Sequence, residues 1–249
     1  MLGVAVDALT LADAVAVVHD AVAHRRKAYV VFCTVSSILW ARDDPTVARA
    51  MAAAELVTPD GMPLVWLGRR AGMTVERVYG PDLMRAVFAT DEGGLRHFFY
   101  GSSDDVLVDL VANLTASYPA ISVAGWKAAP PELDPLRPPP EDLAAINSAG
   151  ADIVWVGLGH PKQDLFAWAN QRLLQAPVVA GVGAAFDYLS GHAAEAPVWM
   201  KRCGLQWLHR LAHDPRRLWR RYIVGNARFV ALLSVHSFRR RYLRSPGVS

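Results

Sequence analysis

The chain has 249 residues, of which 53% are hydrophobic and 20% charged, with a formal net charge of +3 at pH 7. This composition excludes an intrinsically disordered protein, and the length allows one large domain or a domain with an appendage. No apolar run approaches the roughly 18 residues that a membrane-spanning helix needs, and the first residues lack the pattern of a signal peptide.

Short apolar runs alternate with helical periodicities along the first 182 residues. The predicted strands cover residues 29–33, 55–57, 95–100, 121–124, 153–156 and 178–182, and the predicted helices cover 11–23, 83–90, 104–118, 142–149 and 163–175. Strand and helix alternation at this spacing predicts an α/β fold with a mainly parallel sheet and helices on both faces.

Beyond Gly191 the strand signals stop, and the pattern to Arg244 is helical. We therefore predict a core at residues 1–194 and a C-terminal α-helical appendage at 195–249. Residues 201–249 hold twelve Lys or Arg and one acid, whereas residues 1–200 hold fourteen bases and twenty-two acids. This asymmetry predicts that the tail contacts a polyanion such as nucleic acid, acidic lipid or a diphosphate. Cys33 and Cys203 allow one disulfide, but a reduced cytoplasmic protein is the simpler interpretation.

Two glycine turns follow predicted strands, with Gly157 and Gly159 in the first and Gly181 and Gly183 in the second. Glycines let the backbone approach a phosphate, and the following helix N-terminus offers N–H donors, so these turns and the nearby Lys162 are candidate binding elements. Ordinary tight turns are the alternative, because neither turn completes a dinucleotide-binding fingerprint.

Asp60 follows another predicted strand and is a candidate general base, although a Pro-Asp-Gly turn often carries a structural aspartate. The chain contains no Asp-x-Asp motif, which argues against a chelated divalent metal and leaves arginine to neutralise a leaving diphosphate. Arg77 is one candidate, with a surface ion pair to Glu76 as the alternative.

A basic amphipathic helix is predicted after Asp214-Pro215. Its two faces are Arg216, Arg217, Arg220 and Arg221 on one side, and Leu218, Trp219, Tyr222 and Ile223 on the other. Trp199 and Trp207 add aromatic side chains, and four arginines at 239–241 and 244 form a second basic cluster. A membrane-surface role explains this combination, and a helix docked on its own domain is the alternative.

The chain resembles the WecG/TagA/CpsF-type bacterial glycosyltransferases from about residue 3 to about residue 230. The segments that carry the resemblance are TPDGMP at 58–63, ERVYGPD at 76–82, VGLGHPKQD at 156–164, GVGAAFDYLSG at 181–191, GLQWLHRL at 204–211 and DPRRLWRRY at 214–222. Ser36, Asp164, Glu195 and Gln206 depart from the family's usual residues, and Ser36 leaves the sugar specificity open.

The resemblance implies a Rossmann-like α/β domain with a helical appendage that completes the active site at the membrane. It implies a metal-independent, inverting transfer from a UDP-sugar to a polyprenyl-diphosphate-linked saccharide, at the inner face of the cell membrane and without a cofactor. The typical donors carry N-acetylmannosamine, its uronic acid or glucose, and the products feed cell-surface polymers such as teichoic acid. By position, Asp60 matches the base, Thr34 and Gln163 match polar pocket residues, Asp187 matches a nucleotide-pocket carboxylate, and Arg210, Arg217 and Arg220 match arginines that contact diphosphates.

Two rival functions remain from the residues alone. A nicotinamide-dependent oxidoreductase would use the glycine turns, but the ribose-binding acid of a full fingerprint is missing. A nucleic-acid-binding module would use the arginine tail, but the acidic body and the aromatic helix face argue against it. An apolar helical tail would also allow pairing of two subunits.

Overall fold

The structure is a computed structural model that describes residues 1–91 and 94–242, apart from the side chains of Arg217 and of residues 236–242. Its centre is a six-stranded sheet in which every pairing is parallel. The strands are β1 Ala28–Cys33, β2 Leu56–Pro59, β3 Arg96–Gly101, β4 Ser122–Lys127, β5 Ile153–Gly157 and β6 Val178–Gly181. Their order across the sheet is β2-β1-β6-β5-β3-β4.

The helices of the core lie on both faces of this sheet. They are α1 Leu11–Ala23, α2 Val35–Asp43, α3 Pro45–Ala52, α4 Met62–Arg70, α5 Gly80–Thr90, α6 Asp104–Ser117, α7 Pro140–Ser148, α8 Lys162–Asn170 and α9 Ala185–Leu189. Alternate residues of β1 enter two separate apolar clusters, Val31 with α2, α3 and α8, and Val30 with α1, α5 and α6. The predicted α/β class with a doubly covered parallel sheet is thus confirmed.

The connections of the sheet create a crevice between β1 and β6. After β1 the chain passes through α2 and α3 on one face, whereas after β6 it enters α9 on the other face. Neighbouring parallel strands whose outgoing connections diverge leave an opening at their carboxyl ends, where open α/β sheets bind ligands. The fold therefore places the residues that follow β1, β2, β5 and β6 at one edge.

Several element boundaries differ from the sequence prediction. Helices α2, α3 and α4 are absent from the sequence prediction, because each has only eight or nine residues, too few for a clear helical periodicity. Thr34 caps α2 with Ser37, and Asp44 accepts from the backbone N–H of Thr46 at the start of α3. The predicted helix at 163–175 ends at Asn170, whose side chain donates to the carbonyl groups of Phe166 and Pro135.

The C-terminal part is helical, as predicted. It contains α10 Val198–Arg202, α11 Gln206–His213, α12 Pro215–Trp219, a π-helical turn at Arg220–Val224, and α13 Gly225–Tyr242. Helix α13 packs on α2, where Phe229 is buried in the cluster of the core and Arg228 forms an ion pair with Asp43. Among the described residues, none of these helices is long and apolar enough to cross a membrane.

The predicted division of this region into a basic and an apolar face is wrong. Arg221 is half-buried and Leu218 is buried, whereas Trp219 and Ile223 are exposed together with Arg216 and Arg220. A regular helix with about 100° per residue already places Arg221 nearer to Leu218 than to Arg216, and Trp219 and Ile223 nearer to Arg216 than to Leu218. The outer surface consequently mixes arginine with aromatic and aliphatic side chains.

Candidate active site

A cavity of about 300 Å³ lies in the crevice at the carboxyl ends of β1, β2, β5 and β6. From the core, the sequence-predicted residues Thr34, Ser36, Asp60, Arg77, Gly159 and Gly183 line it. From the appendage, Arg210 and Arg221 line it as well. The structure thus brings together eight of the predicted residues from sequence positions as far apart as 34 and 221, with the appendage forming the roof.

Thr34 and Ser36 lie at the first turn of α2. The hydroxyl of Thr34 accepts from the backbone N–H of Ser37 at 3.2 Å, and Ser37 in turn accepts from the backbone N–H of Thr34. This reciprocal cap fixes the start of α2 beneath the cavity. Ser36 accepts from Nε of Arg221 at 3.1 Å, so the first turn of α2 also binds the roof.

Asp60 and Arg77 form an ion pair at the carboxyl end of β2. Arg77 donates from Nε to the carbonyl oxygen of Asp60 at 2.6 Å and from Nη2 to the carboxylate at 3.0 Å. The guanidinium group lies 4.0 Å from the ring centroid of Tyr79, which supports it from the other side. Arg77 is therefore held by Asp60 and not by the predicted alternative partner Glu76, whose carboxylate accepts from the backbone of Leu11.

Helix α11 is connected to this pair through Gln206. Its amide oxygen accepts from Nη2 of Arg77, and its side chain also forms a hydrogen bond with Tyr188. Burial raises the pKa of Tyr188, so this phenol stays protonated at neutral pH and remains a hydrogen-bond donor. One appendage residue thus links the ion pair of β2 to the α9 side of the cavity.

Three cations of the appendage face the cavity. Burial alone would lower the pKa of Arg210, but Tyr222 and Tyr188 beside it leave that pKa above its usual value. Arg221 lies over the ring of Trp40 at 5.1 Å. Lys201 donates to Glu195 at 3.2 Å and to the hydroxyl of Tyr79 at 3.3 Å. These groups make the roof positive while Asp60 supplies a carboxylate on the floor.

Other predicted site residues lie outside the lining of this cavity. These are Gly157, Lys162, Gln163, Gly181, Asp187 and Arg220. Gln163 is fully buried, Lys162 is exposed, and Arg220 lies over the exposed ring of Trp219. Gly157 packs against Phe186, because a Cβ there would lie 2.4 Å from that ring. The side chain of Arg217, and the second basic cluster at 239–241 and 244, lie outside what the structure describes.

Several polar and aromatic residues that line the cavity are not among the predicted site residues. They include Tyr79, His160, Tyr188, Lys201, Gln206 and Trp207. The sequence predicts Trp207 at the membrane surface, but its ring lies 6.0 Å from that of Tyr222 beside the cavity. The position of His160 in the turn after β5 indicates that it lies at the ligand-binding edge of the sheet. The inward or outward position of Lys201 and Trp207 cannot be predicted from periodicity, because each lies on a short helix.

The cavity combines one acceptor for a proton with several fixed cations. A carboxylate next to a set of guanidinium and ammonium groups suits a reaction that deprotonates a nucleophile and releases an anionic leaving group. Within the described part of the chain, no three His, Cys, Asp or Glu side chains are grouped as metal ligands would be. Cys33 is buried and Cys203 is exposed, and both are free thiols.

Comparison with known proteins agrees with the resemblance seen in the motifs. A model of the WecG/TagA/CpsF glycosyl transferase family matches residues 1–243. Two similar curated proteins are both named N-acetylglucosaminyldiphosphoundecaprenol N-acetyl-beta-D-mannosaminyltransferase. The one from Bacillus spizizenii is 29% identical over 185 residues, which cover 74% of this chain and 70% of that protein. The one from Bacillus subtilis strain 168 is 30% identical over 175 residues, covering 70% and 66% respectively, so the matches span about two thirds of each relative.

Proposed function

The chain belongs to the WecG/TagA/CpsF family of glycosyltransferases, and from this premise we propose that it transfers a sugar of the N-acetylmannosamine type from a UDP-sugar to a polyprenyl-diphosphate-linked saccharide. The observation that carries the proposal is the cavity in which Asp60 lies below a cationic roof. The names of the two Bacillus relatives support the choice of transferred sugar and of lipid-linked acceptor.

Asp60 acts as the base in this reaction. Its carboxylate accepts the proton of an acceptor hydroxyl while that oxygen forms a bond to the anomeric carbon of the donor. The bond between the anomeric carbon and the diphosphate oxygen breaks at the same time, and UDP leaves with the bonding electron pair. Attack from the face opposite the leaving group inverts the anomeric centre.

The appendage stabilises the leaving diphosphate. Arg210, Arg221 and Lys201 line one cavity, and cations held in position by the protein stabilise a leaving anion better than bulk solvent does. Arginine binds phosphate oxygens with two parallel N–H donors, which makes a metal ion unnecessary for this step. The glycine turns after β5 and β6 border the same space and leave room for the donor phosphates.

The same appendage brings the enzyme to its lipid-linked acceptor. Residues 1–194 form the catalytic core in this proposal, and residues 195–249 form a membrane-associating unit. Trp199 and Trp219 are 61% and 45% exposed, Arg216 and Arg220 are exposed as well, and Arg220 lies over the ring of Trp219. Exposed indole rings and arginines suit the interface of an anionic leaflet, which supports a location on the cytoplasmic side of the cell membrane.

A donor screen tests this function. Purified protein is mixed with a synthetic polyprenyl-diphosphate saccharide and one UDP-sugar at a time, and released UDP and the glycosylated lipid are measured. We expect product with the N-acetylmannosamine donor, both with and without EDTA. Product only with the uronic acid or glucose donor would change the sugar, loss of all product with EDTA would overturn metal independence, and hydrolysis without lipid product would overturn the acceptor.

A further inference from the structure

A buried hydrogen-bond network lies directly behind the second glycine turn of the cavity. The carboxylate of Asp164, which is 1% exposed, accepts from Nδ1 of His160 at 2.7 Å. Nε2 of the same ring lies 3.2 Å from the amide nitrogen of Gln163, which also donates to the carbonyl oxygen of Gly181. The network thus runs from Asp164 through His160 and Gln163 to the end of β6.

The partners determine where the protons lie. An amide nitrogen is only a donor, so Nε2 of His160 accepts from Gln163 and the ring proton is on Nδ1, where it meets the carboxylate of Asp164. Both N–H groups of the Gln163 amide are therefore used, one by His160 and the other by Gly181. The hydrogen-bonding capacity of the Gln163 amide nitrogen is thus fully satisfied.

The oxygen side of the same amide is different. Oε1 of Gln163 is buried and has no hydrogen-bond partner among the residues that the structure describes. The orientation of the amide thus depends on its two N–H bonds, and the ring of His160 supplies one of their two acceptors. Losing that acceptor would leave a buried N–H unsatisfied as well, which disfavours the present rotamer further.

The turn at the edge of the cavity is built around this side chain. A Cβ at Gly181 would lie 2.8 Å from Cγ of Gln163, and a Cβ at Gly183 would lie 3.2 Å from Oε1. The backbone therefore sits directly on Gln163, and Gly183 adopts a φ of +57° that favours glycine. Val182, Gly183 and Ala184 present the other side of this turn to the cavity.

We propose that His160 and Asp164 are positioning residues that hold the Gly181–Gly183 turn in place for the donor diphosphate by fixing the Gln163 amide. Gln163 acts in this account through the turn and not by touching the substrate. The inference rests on the proposed use of a UDP-sugar, because it assigns the turn to donor binding. It adds two residues that the proposed reaction mechanism does not use.

Two substitutions at His160 separate positioning from general stability. His160→Asn keeps a donor that reaches Asp164 but loses the acceptor for Gln163, whereas His160→Gln keeps an acceptor at the position of Nε2 and leaves Asp164 without its donor. We expect His160→Asn to weaken UDP binding and raise the donor KM about tenfold, with kcat within about twofold of the wild type. We expect His160→Gln to lower the melting temperature more, because a buried carboxylate loses its partner, while UDP affinity stays near the wild-type value.

The matched control is a second His–Asp pair on the surface. Nε2 of His192 lies 2.7 Å from Asp109, and both side chains are well exposed, so His192→Asn should change neither UDP binding nor the melting temperature. UDP binding is measured by calorimetry, and the donor KM and kcat by UDP release. Equal UDP affinity in His160→Asn and the wild type, or an equal loss in both His160 variants, would refute the positioning role. A wild-type protein that does not bind UDP would refute the donor itself.

Discussion

The guanidinium group of Arg77 binds Asp60 at two points, the carbonyl oxygen at 2.6 Å and the carboxylate at 3.0 Å. The side chains are 16% and 19% exposed, so the pair is largely shielded from water at the edge of the cavity. Because Arg77 binds both the backbone carbonyl and the carboxylate of Asp60, the side chain of Asp60 has little freedom to rotate. Arg77 is thus better placed to orient Asp60 than to bind a diphosphate directly.

Replacement of the carboxylate tests the base. Asp60→Asn keeps the shape of the side chain but removes the proton acceptor, so we expect kcat to fall by roughly 10²–10⁴. The UDP dissociation constant should change little, because in the proposed mechanism the donor phosphates bind to the roof arginines and not to Asp60. Steady-state kinetics and calorimetry on the same preparation check both values, and near-normal turnover would remove Asp60 from this role.

Replacement of the partner tests the orienting role of Arg77. Arg77→Lys keeps the positive charge but cannot bind the two oxygens of Asp60 in the same geometry, so kcat should fall by up to about 10²-fold. UDP binding should be preserved if Arg77 acts on Asp60. A large loss of UDP affinity with normal kcat would instead assign Arg77 to the diphosphate.

The roof arginines should differ from the surface arginines. Arg210→Met and Arg221→Met each remove a cation that lines the cavity, and each should weaken UDP binding or transition-state stabilisation by about 10- to 100-fold. Arg216→Met is the matched control, because this arginine is exposed on the neighbouring helix α12. Equal effects at all three positions in a detergent-solubilised assay would show that net charge, and not the cavity, is responsible.

Membrane association should depend on the mixed outer surface. Changing Arg216 and Arg220 to Gln removes about 1 kcal/mol of attraction to anionic lipid for each arginine, or roughly thirtyfold in partitioning for the pair. Flotation with vesicles containing anionic lipid measures the change, and added salt should reduce binding of the wild type. Leu173→Ser is the control, because Leu173 is 61% exposed on the core. Wild-type binding to neutral vesicles only would contradict the proposed surface.

A buried histidine gives the core a pH dependence. His97 is fully buried, donates from Nε2 to Asp91 at 3.2 Å and accepts from Trp155 at 3.2 Å, and burial lowers its pKa. Below a pH of about 6.5 the unfolded chain binds a proton that the folded protein resists, so the free energy of unfolding should decrease as the pH falls. His97→Gln keeps a donor for Asp91 without this titration.

Urea denaturation between pH 5 and pH 7 measures this effect. The stability of His97→Gln should depend less on pH than that of the wild type, even if the variant is less stable throughout. Substitution of His192 by Gln provides the comparison, because this histidine lies on the surface and outside the buried core. An identical slope in all three proteins would show that other groups set the acid sensitivity.

Much of the architecture could be predicted from local patterns. The buried strands appear as short apolar runs because parallel strands covered on both faces need apolar side chains on both. The convergence of Thr34, Asp60 and Gly183 also followed, since parallel strands end at a common edge. These features follow from the spacing of apolar residues along the chain and from the rule that parallel strands end at a common edge of the sheet.

The pairing of side chains could not be predicted in the same way. The bond from Arg77 to Asp60 depends on a path of seventeen residues through α4, which the sequence did not reveal. The hydrogen bond from Arg221 to Ser36 joins residues 185 positions apart, and local periodicity contains no information about such a distant partner. Contacts of this kind depend on how the helices pack in three dimensions.

Burial of Phe229 has a consequence for the order in which the enzyme matures. This residue fills a gap in the apolar cluster against α2, and the roof arginines precede it in the chain. A nascent chain that has emerged only as far as α9 contains all six strands of the sheet. It lacks the C-terminal helices that form the roof of the cavity. In the proposed mechanism the cavity is complete only after α13 has docked on α2, so a chain truncated after α9 should not turn over its donor.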